Sequence, residues 1–114
     1  MLTRDQILKA QDRRTETVKV PEWGGELIVA SMSGTTRDEF EASIVTADGD
    51  ANMRNMRAKL VSACLVDEKG ARLFDAADVE ALGAKNAAVL DRIVKVAQRL
   101  NRLGDKELEE LKGN

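Results

Sequence analysis

The chain has 114 residues and a mass of 12.5 kDa, the size of one ordinary domain and too short for two independent cores. Its 18 basic and 20 acidic side chains leave a formal charge of −2, which excludes the global basic field that grips nucleic acid or an anionic membrane. With 43% apolar and 33% charged residues, the composition is that of a soluble, folded chain.

Thr3-Arg4-Asp5-Gln6 opens a short helix, with Thr3 as N-cap and Gln6 in the reciprocal capping position. Ile7 and Leu8 give this helix little to bury, so residues 1–14 are expected to fray. At Thr15 the pattern changes to period two, with Val18 and Val20 on one face and Lys19 on the other. Pro21 ends that strand because it donates no ladder hydrogen bond. Gly24-Gly25 permits a reversal, and Glu26–Ser31 returns. Residues 15–31 therefore read as a β-hairpin around Pro21–Gly25. Thr36, with Glu39 three residues on, is expected to cap a helix. Its Phe40 and Ile44 face inward, and its Arg37 and Glu41 pair on the wet side. Thr46–Asn52 is a turn-rich break.

Met53, Met56, Leu60 and Cys64 recur at spacings of 3, 4 and 4, one stripe of a helix. Asp67–Gly70 reads as a turn, with Leu65-Val66 and Arg72–Phe74 pairing around it as a very short second hairpin. Asp75 caps the next helix with Asp78 at its third position, Val79 and Leu82 face inward, and Gly83 is the stop. Asn86 caps a long helix running to about Leu103, where Val89, Ile93, Val96, Leu100 and Leu103 form the apolar stripe and Leu90, Val94 and Ala97 widen it. Gly104 ends this helix, and residues 105–114 are expected to fray. The fold class expected is a single α+β domain over residues 1–114, small and mostly helical, with an N-terminal β-hairpin and a long C-terminal helix. Phe74, Leu82, Val89, Ile93, Val96 and Leu100 are expected to form the core with Leu60, Cys64 and Phe40.

The residue inventory argues against catalysis. There is no His, hence neither the commonest general base nor the commonest neutral metal ligand. One Cys allows no intrachain disulfide and no cysteine zinc site. Cys64 has no base to activate it, and its place on the Met53–Leu60 stripe makes it a small buried hydrophobe. Asp48–Asn52 resembles the start of a calcium loop, but the sixth and twelfth positions hold Met53 and Lys59 instead of Gly and an acid. Gly24-Gly25 fits neither phosphate-binding glycine spacing. No catalytic, cofactor or metal site is therefore expected. No apolar run approaches the roughly 20 residues of a membrane span, and the N-terminus has no signal-peptide stretch. A reducing, cytoplasmic setting is expected.

Charge is unevenly spread: residues 21–52 carry one basic and seven acidic side chains, and residues 53–74 five basic and two acidic. The simpler reading is two solvated faces; the other is a steering or pairing surface. Residues 75–104 also outline two helices around a glycine turn, the shape of a DNA-binding helix-turn-helix. The first turns of its second helix, Asn86–Asp91, hold no Arg or Lys for base edges. A small DNA-binding regulator using residues 75–104 is nonetheless the alternative function.

The order of segments goes further. Val18-Lys19-Val20-Pro21-Glu22-Trp23-Gly24-Gly25, a strand, then Met32-Ser33-Gly34-Thr35-Thr36-Arg37-Asp38-Glu39-Phe40-Glu41 resembles the tail assembly chaperones of long-tailed bacteriophages and prophages. Leu65–Phe74, Asp78–Gly83 and Leu100-Asn101 continue the likeness, which runs from about residue 3 to residue 112. The resemblance implies a non-enzymatic protein of virus assembly without cofactors. It implies binding of the long helical tape measure protein, which the chaperone keeps soluble and extended while tail tube (major tail) subunits polymerise around it. It also implies work in the host cell cytoplasm, absence from the mature virion, and in many members a longer frameshifted form; whether the chain forms a homo-oligomer stays open.

A holdase for a helical client needs apolar grooves, not catalytic groups. Three residues are candidates for partner binding. Met53 and Met56 fill the core in the simpler reading; in the other they offer deformable apolar surface to a client. Trp23, an amphipathic aromatic at a hairpin tip, either anchors an interface or folds back over the hairpin and the Phe40 helix.

Overall fold

The computed structural model describes residues 1–45, 49 and 52–104. The period-two segment forms β1 (Thr15–Val20), which pairs antiparallel with β2 (Gly25–Ala30), Val18 opposite Leu27 and Val20 opposite Gly25. This is the hairpin expected over residues 15–31. Its connection is one 3-10 turn, Pro21–Trp23, closed by the Gly24 N–H donating to the Pro21 carbonyl at 3.0 Å. Gly24 sits at φ 79°, a left-handed conformation that glycine adopts without a Cβ clash. A third strand, β3 (Leu65–Val66), lies on the other side of β2, with Val29 opposite Leu65 and Ile28 opposite Val66. Directly opposed residues share a face. Val18, Leu27, Val29 and Leu65 thus look toward the core, and Thr17, Ile28 and Val66 form the outer face.

Among the described residues five helices complete the α+β, mostly helical fold: α1 (Arg4–Lys9), α2 (Gly34–Ile44), α3 (Met56–Cys64), α4 (Val79–Gly83) and α5 (Ala87–Leu100). The capping box of α1 is present, the Gln6 N–H donating to Thr3 Oγ1 at 3.2 Å and the Thr3 N–H to Gln6 Oε1 at 2.9 Å, yet α1 buries no residue. α3 is the hub: it packs on α2, α4 and α5, while α5 also lies against β1 and β2. Ala58 and Leu60–Cys64 of α3 are buried, with Val20, Val29, Ile44, Leu65, Leu90, Ile93 and Ala97 around them.

Several expectations change. Ser33, not Thr36, caps α2: its Oγ accepts the Thr36 N–H at 3.1 Å. Ser and Thr compete as caps three residues apart, and the Ser33 start adds a helical turn, including the Arg37 N–H to Ser33 carbonyl bond at 2.9 Å. Met53 precedes α3 instead of lying on its stripe. The N-cap of α3 is Asn55, in the left-handed region at φ 58°, and α3 is buried on most of its surface, as expected of a helix between layers. The second hairpin is present and very short: Val66 bridges Arg72, flanked by the Leu73 N–H donating to the Leu65 carbonyl at 3.1 Å and the Asp67 N–H to the Ala71 carbonyl at 2.8 Å, while the other edge of β3 pairs with β2. Asp75 does cap, with Asp78 reciprocating, but over a 3-10 turn (Ala76–Asp78) that leads into α4.

Gly83 is not a left-handed stop: it is the last residue of α4, and Ala84 is the C-cap. A Cβ at Gly83 would meet the end of the Asn55 side chain, with Asn55 Cγ at 3.1 Å, so any larger residue there makes Asn55 turn aside. The long helix stops at Leu100, with Asn101 as C-cap and Arg102 in the left-handed region at φ 52°. The Leu103 N–H donates to the Gln98 carbonyl at 2.8 Å and the Arg102 N–H to the Arg99 carbonyl at 3.3 Å, a Schellman closure with arginine where glycine is usual. Leu103 is therefore outside the helix but fully buried. Phe74, Val96 and Leu100 are only partly buried against the core. The fray expected of residues 105–114 and most of the Thr46–Asn52 turn lie outside the described residues.

Candidate partner-binding site

Met53 and Met56 line a cleft of about 500 Å³ between α3 and α5. Met56, Arg57 and Leu60 come from the α3 side and Asp91, Val94, Lys95 and Gln98 from α5. The cleft opens beside the packed faces of α3 and α5, with flexible methionine side chains at its lip. Met53 is 37% exposed, whereas Met56 is partly buried on the core. Polar groups ring the apolar floor. Arg57 Nε donates to Asp91 Oδ1 at 2.5 Å across the two helices. The α5 half of this cleft escapes a reading of the sequence, because Val94 is indistinguishable there from a core position.

Trp23 is 39% exposed. It lines a second cleft, of about 400 Å³, with Phe74, Asp78, Ala81, Leu82 and Lys85. Trp23 thus turns toward α4 and Phe74, not toward the Phe40 helix. The neighbouring Glu22 is clamped by both guanidinium nitrogens of Arg92 at 2.8 and 2.5 Å. That bidentate contact, with help from a backbone N–H, holds the Glu22 carboxyl at about 2, well below its usual range, and raises Arg92. The Met53–Met56 pair and Trp23 line separate clefts.

The remaining segments that carried the likeness do structural work. Arg72 donates through Nε and Nη2 to the Ser62 carbonyl at 3.3 and 3.1 Å, supplying a donor to the C-terminal turn of α3. Asp67 Oδ1 accepts the Lys69 and Ala71 N–H groups at 2.8 and 3.0 Å, closing the turn in which Gly70 sits at φ 87°. Asn101 Oδ1 accepts the Met32 N–H at 2.7 Å, and its Nδ2 donates to the Ala97 carbonyl at 2.8 Å and toward Cys64 Sγ at 3.5 Å. Cys64 is fully buried, and burial pushes its thiol up to about 11, the behaviour of a packing residue and not of a nucleophile.

The helix pair over residues 75–104 is not disposed for DNA. Val89, Leu90, Ile93 and Ala97 of α5 are core residues. Its Arg92 is taken by Glu22, and its Arg99 Nη2 donates to Glu16 Oε1 at 2.6 Å. Among the described residues no group of three or more metal-ligating side chains converges, and no helix is long and apolar enough to cross a membrane.

A comparison with curated proteins returns no match. Among solved structures, the chain is similar to the tail assembly chaperone of bacteriophage HK97, with a TM-score of 0.61 at 23% identity. The likeness covers 89% of this chain and 95% of that one, and it shows a shared fold. The sequence model of the family described as phage tail assembly chaperone matches residues 3–113. With that match spanning nearly the whole length, the chain belongs to the phage tail assembly chaperone family.

Proposed function

We propose that this chaperone binds the tape measure protein through the α3–α5 cleft and keeps it soluble and extended while tail tube subunits polymerise around it. It acts without catalysis in the host cytoplasm and leaves before the virion is complete. The observation that carries the choice of surface is the pair Met53 and Met56 at the lip of an apolar cleft between two helices. An amphipathic helix docks in such grooves by laying its apolar side chains at i, i+3, i+4 and i+7 along the floor. Methionines adapt to successive, non-identical stretches of a long client. Apolar burial contributes roughly 25 cal/mol per Å² and ordering costs offset much of it, so each contact is moderate and many copies act along one client.

The test is co-expression with segments of the tape measure protein, followed by co-purification at low and high salt with duplex DNA as a parallel ligand. Client capture is expected to persist in high salt, because apolar contacts are not screened. Met53→Asp is expected to weaken it at least tenfold while leaving the fold intact, since Met53 lies outside the core. Client solubility unchanged by this protein, or salt-sensitive duplex binding, would overturn the reading and favour a DNA-binding regulator.

A further inference from the structure

We propose that Lys95 selects what the α3–α5 cleft holds: amphipathic helical segments with a carboxylate on the flank of their apolar stripe. The inference rests on the client reading of that cleft and names the chemistry of the client. α5 carries three cations, Arg92, Lys95 and Arg99. Arg92 and Arg99, two turns apart, face the hairpin and are taken by Glu22 and Glu16. Lys95 lies on the cleft wall instead, where it is exposed and has no partner among the described residues.

That free ammonium has a local cause. Asp91 stands four residues before Lys95, the order and spacing at which an acid and a base pair along a helix. Asp91 is taken from α3 instead, by Arg57 Nε at 2.5 Å. The exchange neutralises Asp91 and Arg57 against each other and leaves Lys95 as the uncompensated charge beside Val94, Leu60 and Met56. The cleft thus offers an apolar floor, a closed ion pair at one end and a free cation one helical turn further along α5. A helix laid on that floor displaces water from around Lys95. An ammonium that loses water without gaining an acceptor is destabilised. A carboxylate beside the client's apolar stripe supplies the acceptor, and a base in the same place is repelled. Arg57 cannot make this choice, because its charge is spent on Asp91. Apolar contact supplies most of the affinity, while Lys95 discriminates among stretches of the client and fixes their register.

The experiment measures binding of overlapping peptides that cover the tape measure protein to the full chain and to Lys95→Gln and Lys95→Glu, both expected to melt like the parent because Lys95 is exposed. Peptides held by the parent are then remade with each flanking acid changed to Gln or Lys. In the parent, the change of one acid to Gln is expected to weaken binding about fivefold. In Lys95→Gln the same change should have no effect, and in Lys95→Glu the acid-to-Lys peptide should bind better than the original. High salt should shrink the discrimination while binding itself persists. Bound peptides without a flanking acid, or an acid-to-Gln loss equal in the parent and Lys95→Gln, would overturn the inference and leave the client site standing, provided that Met53→Asp still weakens every peptide. Failure of the parent to hold any peptide would overturn the client reading and this inference with it.

Discussion

Asn101 shows how much a single polar side chain can hold. It sits just past α5, and its amide joins three separate parts of the chain: the Met32 N–H at the end of β2, the Ala97 carbonyl of α5 and the Cys64 sulfur of α3. An alanine there keeps none of these bonds and leaves a half-buried N–H without a partner. An orphaned group of this kind costs about 1–3 kcal/mol, against a total stability of roughly 6–17 kcal/mol for a chain of this length. Asn101→Ala is therefore expected to lower stability by about 2–3 kcal/mol, read as a lower midpoint in chemical denaturation. Gly83 makes the complementary point: the side chain lying against it is that of Asn55, 28 positions earlier, and nothing near Gly83 in the sequence announces it.

At the scale of elements, the hairpin and α5 are joined by two arginine–carboxylate contacts, Glu22 with Arg92 and Glu16 with Arg99. Glu22 of the acidic block at residues 21–52 is thus answered by a cation on a distant helix, although most such surface pairs contribute little. The Glu22 pair has the best geometry and leaves a signature. The folded carboxyl titrates at about 2 against an ordinary 4.5, a depressed value, so its contribution to stability is present above pH 4.5 and lost as pH falls through 2. Carboxyl NMR titration is expected to show Glu22 far below the other glutamates in the parent and near its ordinary value in Arg92→Ala. An unshifted Glu22 in the parent would show that the clamp does not form in solution. The same pair fixes the 3-10 turn that presents Trp23, so its loss should also loosen the Trp23 cleft.

For the molecule as a whole, α3 is the element around which the rest is assembled, and Cys64 is its innermost probe. The thiol is inaccessible and its ionisation is pushed to about 11 from an ordinary 9.0. Its folded value is raised, so the stability contributed by the neutral thiol is full below pH 9 and is lost as pH rises through 11. Alkylation of Cys64 at pH 8 requires opening of the whole core. The rate is expected to fall on the order of 10⁴-fold or more below that in denaturant, as the global unfolding equilibrium dictates. Alkylation nearly as fast under native conditions would mean that α3 opens locally and is not the hub.

The amino-acid sequence by itself determined what local chemistry decides. Alternation at Thr15–Val20, the proline and glycines after it, the caps at Thr3, Asp75 and Asn86 and the 3.6 period of α5 each depend on residues within a turn or two of one another. Those elements appear where the pattern places them, and the ordered motif blocks were enough to indicate the family. Tertiary structure decided what depends on who packs against whom. The Met53–Cys64 stripe reads as one helical face, but layers on opposite sides of α3 bury most of it and leave Met53 outside the helix. Leu65-Val66 reads as the arm of a local hairpin and is one, but its other edge also joins β2, a pairing that nothing within the segment announces. α5 stops at Leu100 in a closure with Arg102 in the left-handed region and Leu103 buried, ahead of Gly104, the local stop signal. The clefts at Met53 and Trp23 have the same origin: a groove is the gap between two packed elements, and no single segment contains it.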